Sequence, residues 1–279
     1  MPDADVGTDR VRCSREHGPA GDAVNVVVLT KWVPEPEGTP TLGDDGLLVR
    51  EGADGALDPG DEYGLEAALQ LVETAEDGEI SLLTMGPEVS HAALQRGLAM
   101  GAHKGVRITD DSLRGADTLV TARVLAAAIG RQDFDLVIAG VESTDGYTGT
   151  LVAAVAELLG LPALTFARKV ETSDGTLRIE RQTAAGYDVV TAPLPAVITV
   201  TAGATEPRYP SLKGVMAAKS KPVETLSLAD LGLIADETQP TQTVTEVSDA
   251  PPKQGGETVE FDDTTPARIA DLLAAAKVL

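Results

Sequence analysis

Between residues 24 and 160 the chain alternates, four times over, a short aliphatic run with a longer segment of helical periodicity. That alternation limits the fold more than any other feature. "VNVVVLT" (24–30) is apolar on consecutive residues, as a strand can be when both of its faces are covered. "EISLLTMGP" (79–87), "GVRIT" (105–109) and "FDLVIAG" (134–140) repeat the pattern. A helix is expected after each. In "LDPGDEYGLEAALQLVE", Asp58 can cap and Pro59 suits the first helical position, while Leu65, Ala68, Leu69 and Val72 form one stripe. Ala93, Leu94 and Leu98 mark a second helix. "LVTARVLAAAIG", closed by Gly130, and "TLVAAVAELLG", closed by Gly160 and starting near Thr148, are the third and fourth. Strands of this type alternating with helices give an α/β fold, a doubly wound parallel sheet with helices on both faces. Ligands of such sheets sit beyond the carboxyl ends of the strands, where strand order reverses. The loops following Thr30, Met85 and Gly140 are therefore the candidate pocket walls. The first of them, "KWVPEPEGTP", has three prolines in ten residues and is read as extended loop.

From residue 161 the pattern changes. "LPALTFARKVETSDGTLRIERQTAAGYDVVTAPLPAVITV" reads as strands joined by tight turns, an antiparallel β ribbon appended to the parallel sheet. "GATEPRYPSLKGVMAAKSKPVETLSLADLGL" is basic at its centre. The expected organisation is a disordered extension over 1–23, an α/β domain over 24–234, and a C-terminal arm with a last helix over 235–279.

Charge narrows the function. The chain has 44 acidic against 22 basic residues, a net charge of −22, which repels nucleic acid and anionic membrane and suits a solvated acidic surface. Aromatics are 3% of the residues, so Val, Leu and Ala must do most of the packing. The single cysteine, Cys13, excludes an internal disulfide or a CxxC metal site, and His17, His91 and His103 lie apart from one another. No apolar run is long enough to cross a membrane and no signal peptide is visible, so the reading is a soluble, cytoplasmic protein.

The loop in "DLVIAGVESTDGYTGT" (135–150) is neither the three-glycine dinucleotide fingerprint nor a Walker loop. It offers Glu142, Ser143, Thr144, Asp145, Thr148 and Thr150 with Gly146 and Gly149. Glycine N–H groups and a helix N-terminus make an anion site, and the two carboxylates suit ribose hydroxyls better than a bare phosphate. A capped turn without a ligand fits the composition equally well. Ser143 lacks a G-x-S-x-G elbow, and no histidine lies in these loops to activate it. Binding without catalysis is the leading class, and catalytic and metal residues are expected to be absent.

Three segments carry a resemblance to a known family: "IAGVESTDGYTG", "RIERQTAAGYDVVTAPLPAVITV" and "TEPRYPSLKGVMAAKSKP". In this order, and with "LDPGDEYGLEAAL" and "LLTMGP" ahead of them, they resemble the β subunit of electron transfer flavoproteins (ETF), in its "ESTDG" bacterial and archaeal form. The resemblance spans residues 24–279. It implies a nucleotide-binding fold of the adenine nucleotide hydrolase type that performs no hydrolysis, binds AMP structurally and pairs with an ETF α subunit, which the carboxyl-terminal arm wraps. FAD would lie mainly on the α subunit and carry electrons from acyl-CoA dehydrogenase-type flavoenzymes, in fatty acid β-oxidation, to a quinone oxidoreductase. AMP contacts would fall on Leu29, on Asp58, Pro59, Gly60 and Asp61, on Met85, and on Gly140, Val141, Glu142, Ser143, Thr144, Asp145, Gly146, Tyr147 and Thr148. Pro210, Ser211, Leu212 and Lys213 match the family's recognition loop, with Leu212 as the apolar anchor and Lys213, Lys219 and Lys221 available to steer acidic partners. The chain departs from relatives in three places. It has "KSKP" where many carry "KKKK", and it lacks the "DGDTAQVGP" of electron-bifurcating members, which hold a second FAD in place of AMP. Gly60 and Pro36 stand where mitochondrial-type relatives have aromatics near the flavin. Two alternatives stay open: a bifurcating β subunit, and a stand-alone adenine-nucleotide binder similar to universal stress proteins.

Overall fold

The computed structural model describes residues 23–35, 41–50, 52–75, 77–248, 251, 256, 258 and 260–278. Pro36, most of the expected 1–23 extension and much of the "APPKQGGE" segment lie outside the described residues. The chain divides into two compact units, residues 1–244 and 245–279.

In the first unit the four expected strands form as β1 (Val26–Leu29), β4 (Ile80–Met85), β5 (Lys104–Ile108) and β6 (Leu136–Gly140). Two short strands, β2 (Trp32–Pro34) and β3 (Gly55–Leu57), pair antiparallel beside them. The loop expected over 31–40 is thus partly strand. Pro34 is the last residue of β2, where its missing N–H interrupts no long ladder.

The helices are α1 (Pro59–Ala75), α2 (His91–Met100), α3 (Thr118–Ile129) and α4 (Leu151–Leu159). Gly160 closes α4 in the left-handed conformation, as read from the sequence. Gly130, by contrast, ends α3 with right-handed backbone angles. Helix α4 starts at Leu151, three residues beyond the expected Thr148.

Beyond α4, β7 (Ala163–Ser173), β8 (Thr176–Thr183) and β9 (Gly186–Pro193) make the antiparallel ribbon. Asp174 and Gly175 join β7 to β8 with φ of 50° and 71°, the backbone a two-residue hairpin turn demands. The last expected ribbon strand, β10 (Ala196–Val200), does not join it. It runs parallel between β6 and the first half of β7, so ribbon and sheet are continuous. The sequence reading places "AVITV" in the ribbon, but it is buried at every position, as a strand inside the parallel sheet must be, while β9 is mostly exposed. After α5 (Leu212–Ala218), β11 (Val223–Leu226) adds a further parallel strand against β5. The sequence reading missed β11 because only Leu226 of its four residues is buried, as edge positions allow.

The nine strands lie in the order β11-β5-β4-β1-β6-β10-β7-β8-β9. Helices α1 and α2 cover one face, where Leu65, Leu69, Leu94 and Leu98 pack on Val26, Val28, Ile80 and Leu82. Helices α3 and α4 cover the other, with Val120, Val124, Val152 and Val155 against Val27, Leu29, Leu83 and Val137. Alternate residues of β1 therefore belong to different cores, which explains its uninterrupted apolar run. The second unit contains α6 (Thr265–Ala275), begun by Asp262, whose carboxylate accepts from the amide and hydroxyl of Thr264.

Ile138 is fully buried in β6. Ile138→Ala should cost about 2–5 kcal/mol, seen as a lower urea midpoint with an unchanged m-value.

Candidate functional site

Strand order reverses between β1 and β6: from β1 the chain proceeds outward to β4 and β5, then returns to lay β6 on the other side. The crevice beyond their carboxyl ends is built around the start of α1. Its Gly60 meets the last residue of β6 so closely that a Cβ on Gly140 would lie 2.9 Å from the Gly60 carbonyl carbon. On the other side of this crossing the fit is tight without being closed, since a Cβ on Gly60 would come 3.1 Å from Asp58 Oδ1 and 3.5 Å from the Glu142 carbonyl.

Three carboxylates fix the loops here. Asp58, fully buried, caps α1 by accepting the Gly60 N–H on Oδ1 (2.8 Å). Its Oδ2 accepts both the amide (2.7 Å) and the hydroxyl (2.8 Å) of Thr144. Asp61 joins the two strand ends. It accepts the Lys31 N–H on Oδ2 (2.8 Å) and the Gly140 N–H on Oδ1 (3.3 Å). Burial, and then the charge of Asp58, push the Asp61 carboxyl up to about 8 despite those two amides. Asp145 accepts from Lys31 Nζ (2.6 Å) and Arg50 Nη2 (2.5 Å), and Lys31 also reaches Ser143 Oγ (3.1 Å). Burial would raise the Asp145 carboxyl, but the two cations prevail and hold it below its ordinary value. One of the two loop carboxylates expected to oppose a phosphate is therefore already neutralised.

The remainder of the loop faces outward. Glu142, Gly146, Tyr147, Thr148 and Gly149 are exposed. The Gly146 and Tyr147 amides donate back to the Ser143 carbonyl, whereas those of Thr148 and Gly149 donate to no described residue. Thr150, which precedes α4, makes no side-chain cap, so that helix N-terminus is open. Pro59 is exposed on the first turn of α1, and Val141 is half-buried at the root of the loop. Leu29 and half-buried Met85 end the neighbouring strands β1 and β4. The Leu29 side chain is spent in the core, which leaves its main chain to face the crevice. The sequence reading missed Lys31 and Arg50. Lys31 had a signal, as the first charge after a buried strand, but Arg50 comes from a loop without periodicity.

The segment holding Pro210, Ser211, Leu212 and Lys213 lies apart from this crevice in the chain and forms a platform on α1 and α2. Ser211 Oγ caps α5 by accepting the Gly214 N–H (3.0 Å). A Cβ on Gly214 would sit 2.3 Å from the Ala99 carbonyl, so α5 rests backbone against backbone on α2. Arg208 Nε and Nη2 donate to Glu66 (2.8 and 3.0 Å), and Nη1 and Nη2 to Glu73 (2.5 and 3.1 Å), both on α1. Thus supported, Leu212 is 81% exposed and Tyr209 88%, with Val215 and Met216 on the same helical side as Leu212. Lys221, considered from sequence as a steering charge, is committed elsewhere: its Nζ donates to the Leu98 (2.9 Å) and Ala102 (2.6 Å) carbonyls at the end of α2.

Both described histidines serve structure. His103 Nδ1 accepts the Ile80 N–H (2.9 Å), and His91 lies 3.2 Å from Gln95 on its own helix. Among the described residues no cluster of His, Cys, Asp or Glu could hold a metal ion, and no helix is long and apolar enough to cross a membrane.

A family model for the electron transfer flavoprotein domain matches residues 45–231. Electron transfer flavoprotein subunit beta of Mycobacterium tuberculosis (strain ATCC 25618 / H37Rv) is 42% identical over 264 residues, covering 91% of this chain and 99% of that protein. The chain belongs to the electron transfer flavoprotein β-subunit family. The subunits beta of Bacillus subtilis (strain 168) and Megasphaera elsdenii are 33% and 31% identical, over 92% and 89% of this chain and 100% and 96% of those proteins. A member of this family is an electron-transfer subunit and not an enzyme, in keeping with the expectation drawn from the absence of an acid–base or nucleophilic constellation.

Asp61 should leave a signature in the pH dependence of stability. Its carboxyl ionises near 3.8 in the unfolded chain and near 8 in the folded one, so the native state holds the extra proton between those values. Its contribution is complete below about pH 4 and is lost as pH rises through 8. Urea unfolding of Asp61→Asn should lack this component of the decline between pH 5 and 8.5, while being less stable at pH 5 because Asn cannot accept both amides.

Proposed function

We propose that this chain binds AMP as a structural nucleotide in the crevice at the β1/β6 switch and pairs with an α subunit to enclose the FAD that carries electrons. The observation that supports it best is the loop over 141–150. It is tied down by Asp58, Lys31 and Arg50, yet the Thr148 and Gly149 amides and the N-terminus of α4 are left open. Those donors suit a phosphate, and the exposed Glu142 carboxylate suits ribose hydroxyls. The contacts would fall on Leu29, Asp58 to Asp61, Met85 and Gly140 to Thr148, with Asp58 and Asp61 acting through the backbone they hold in place. Bound FAD supplies the redox chemistry. This chain's part is to shape one wall of the flavin cleft and to present the docking face. The donors are flavoenzymes of the acyl-CoA dehydrogenase type and the acceptor a quinone oxidoreductase, in the cytoplasm, with the C-terminal arm and α6 given to the α subunit.

Acid release and chromatography of the nucleotides in the complex of this chain with its α subunit should yield one FAD and one AMP. Two FAD would transfer the chain to the electron-bifurcating class, and no flavin would favour a stand-alone nucleotide binder. Leu212→Ala should lower kcat/KM with the donor dehydrogenase on the order of tenfold or more, through KM, because buried apolar anchors carry a large share of docking energy. Its nucleotide content should stay unchanged.

A further inference from the structure

Residues 41–50 stand in the chain between β2 and β3, and they fold on themselves. Leu42 and Leu48 pair as an isolated antiparallel bridge, with the Gly43 amide donating to the Leu47 carbonyl (2.9 Å) and the Val49 amide to the Thr41 carbonyl (2.9 Å). Gly46, at a φ of 71°, and the Asp45 carboxylate, which accepts the Leu47 N–H (3.0 Å), complete the turn. Among the described residues, no backbone hydrogen bond joins 41–49 to anything outside it. None of Leu42, Leu47, Leu48 and Val49 belongs to either core, whereas Trp32 and Leu57, in the strands on each side, are core residues.

Side chains hold this hairpin down at two places. Arg50 Nη2 meets Asp145 Oδ2 (2.5 Å) in the loop after β6. Asp45 Oδ2 meets Arg114 Nη2 (2.8 Å) in the turn after β5, where a Cβ on the next residue, Gly115, would lie 3.3 Å from Leu47 Cδ1.

The sheet order shows what lies between the two attachments. The strands run β5-β4-β1-β6, so the attachments stand on either side of the carboxyl ends of β4 and β1. Neighbouring strands are about 4.8 Å apart, which makes the gap about 14 Å. The five residue steps from Asp45 to Arg50 can reach about 17 Å. The hairpin therefore crosses the crevice beyond Leu29 and Met85, beside the strand-order switch.

The two attachments are unequal. The Asp145 side chain is 4% exposed and that of Arg50 33%, so this pair is partly shielded from water. The Asp45 and Arg114 side chains are 42% and 75% exposed, and a pair so placed is weak and screened by salt. A segment with its own hydrogen bonds, ionic attachments and no share of the core can leave and return as a unit at small cost. Lys31 keeps its bond to Asp145 when Arg50 lets go, so the loop beneath stays tied. We propose that residues 41–50 are a flap, latched by Arg50 on Asp145 and by Asp45 on Arg114, that opens to admit the nucleotide to the crevice and closes over it. The proposal rests on the reading of that crevice as a nucleotide site.

Two measurements test it. In the complex with the α subunit, bound radiolabelled AMP is chased with unlabelled AMP. Its release should be about tenfold faster in Arg50→Gln. Release should be about threefold faster in Asp45→Asn, which loses the charge but can still accept the Leu47 N–H. Arg50→Lys, which keeps the charge, should stay close to the wild type, and sodium chloride should speed the wild type toward the variants. The second measurement needs no nucleotide. A Met85→Cys probe in the full-length Cys13→Ser chain should react with iodoacetamide faster when Arg50→Gln is added, with the other variants in the same order. Equal release rates, or equal alkylation rates, with and without Arg50→Gln would overturn the flap. A complex without AMP, with the alkylation order kept, would uphold the flap and overturn the nucleotide reading instead.

Discussion

The first turn of α1 lies against the end of β6 with no side chain between them, and the architecture of the crevice depends on that contact. Gly60 and Gly140 let the two backbones meet, and Asp61, one residue further on, reaches back to hold the amides that follow β1 and end β6. A buried carboxylate bound only by amides is costly to keep ionised. It is retained where two parallel strands diverge and their terminal N–H groups would otherwise go unpaired. Asp58 then extends the same arrangement outward to Thr144. The loop is thus fixed from below, by backbone geometry and three carboxylates, and is free above.

Much of this was legible in the sequence because the strands are doubly buried and the helices carry apolar stripes. Both signals survive without tertiary knowledge. Asp58 and Pro59 announced the start of α1, and Asp174 with Gly175 announced a hairpin. What was not legible depended on partners distant in sequence. The placement of β10 beside β6 is a property of pairing, and the sequence reading, which follows chain order, puts it in the ribbon. Arg50 meets Asp145 across 95 residues, and Arg208 meets Glu66 across 142, with no local pattern to reveal either. Lys221 looked like a surface charge because caps supplied from another element leave no periodic trace.

The segment around Leu212 illustrates how rigidity can be placed beneath an exposed apolar residue. Leu212 and Tyr209 are open to solvent, yet the segment bearing them is fastened at three points. Arg208 is bound to α1, Gly214 rests on α2, and Lys221 closes the end of α2. A preordered apolar face loses less conformational entropy on association than a mobile one, so more of its burial appears as affinity.

The position of β10 has a consequence for how the molecule is made. The strand that joins the two halves of the sheet is the last of its neighbourhood to emerge from the ribosome, after the whole ribbon. Until residues 196–200 appear, β6 presents an unpaired edge and the first half of β7 has no neighbour on that side. A nascent chain ending short of this strand holds strands β1 to β6 and the ribbon as separate pieces, and their union is a late, long-range event. This insertion beside the central strand therefore sets the point at which the growing chain can first join its two halves.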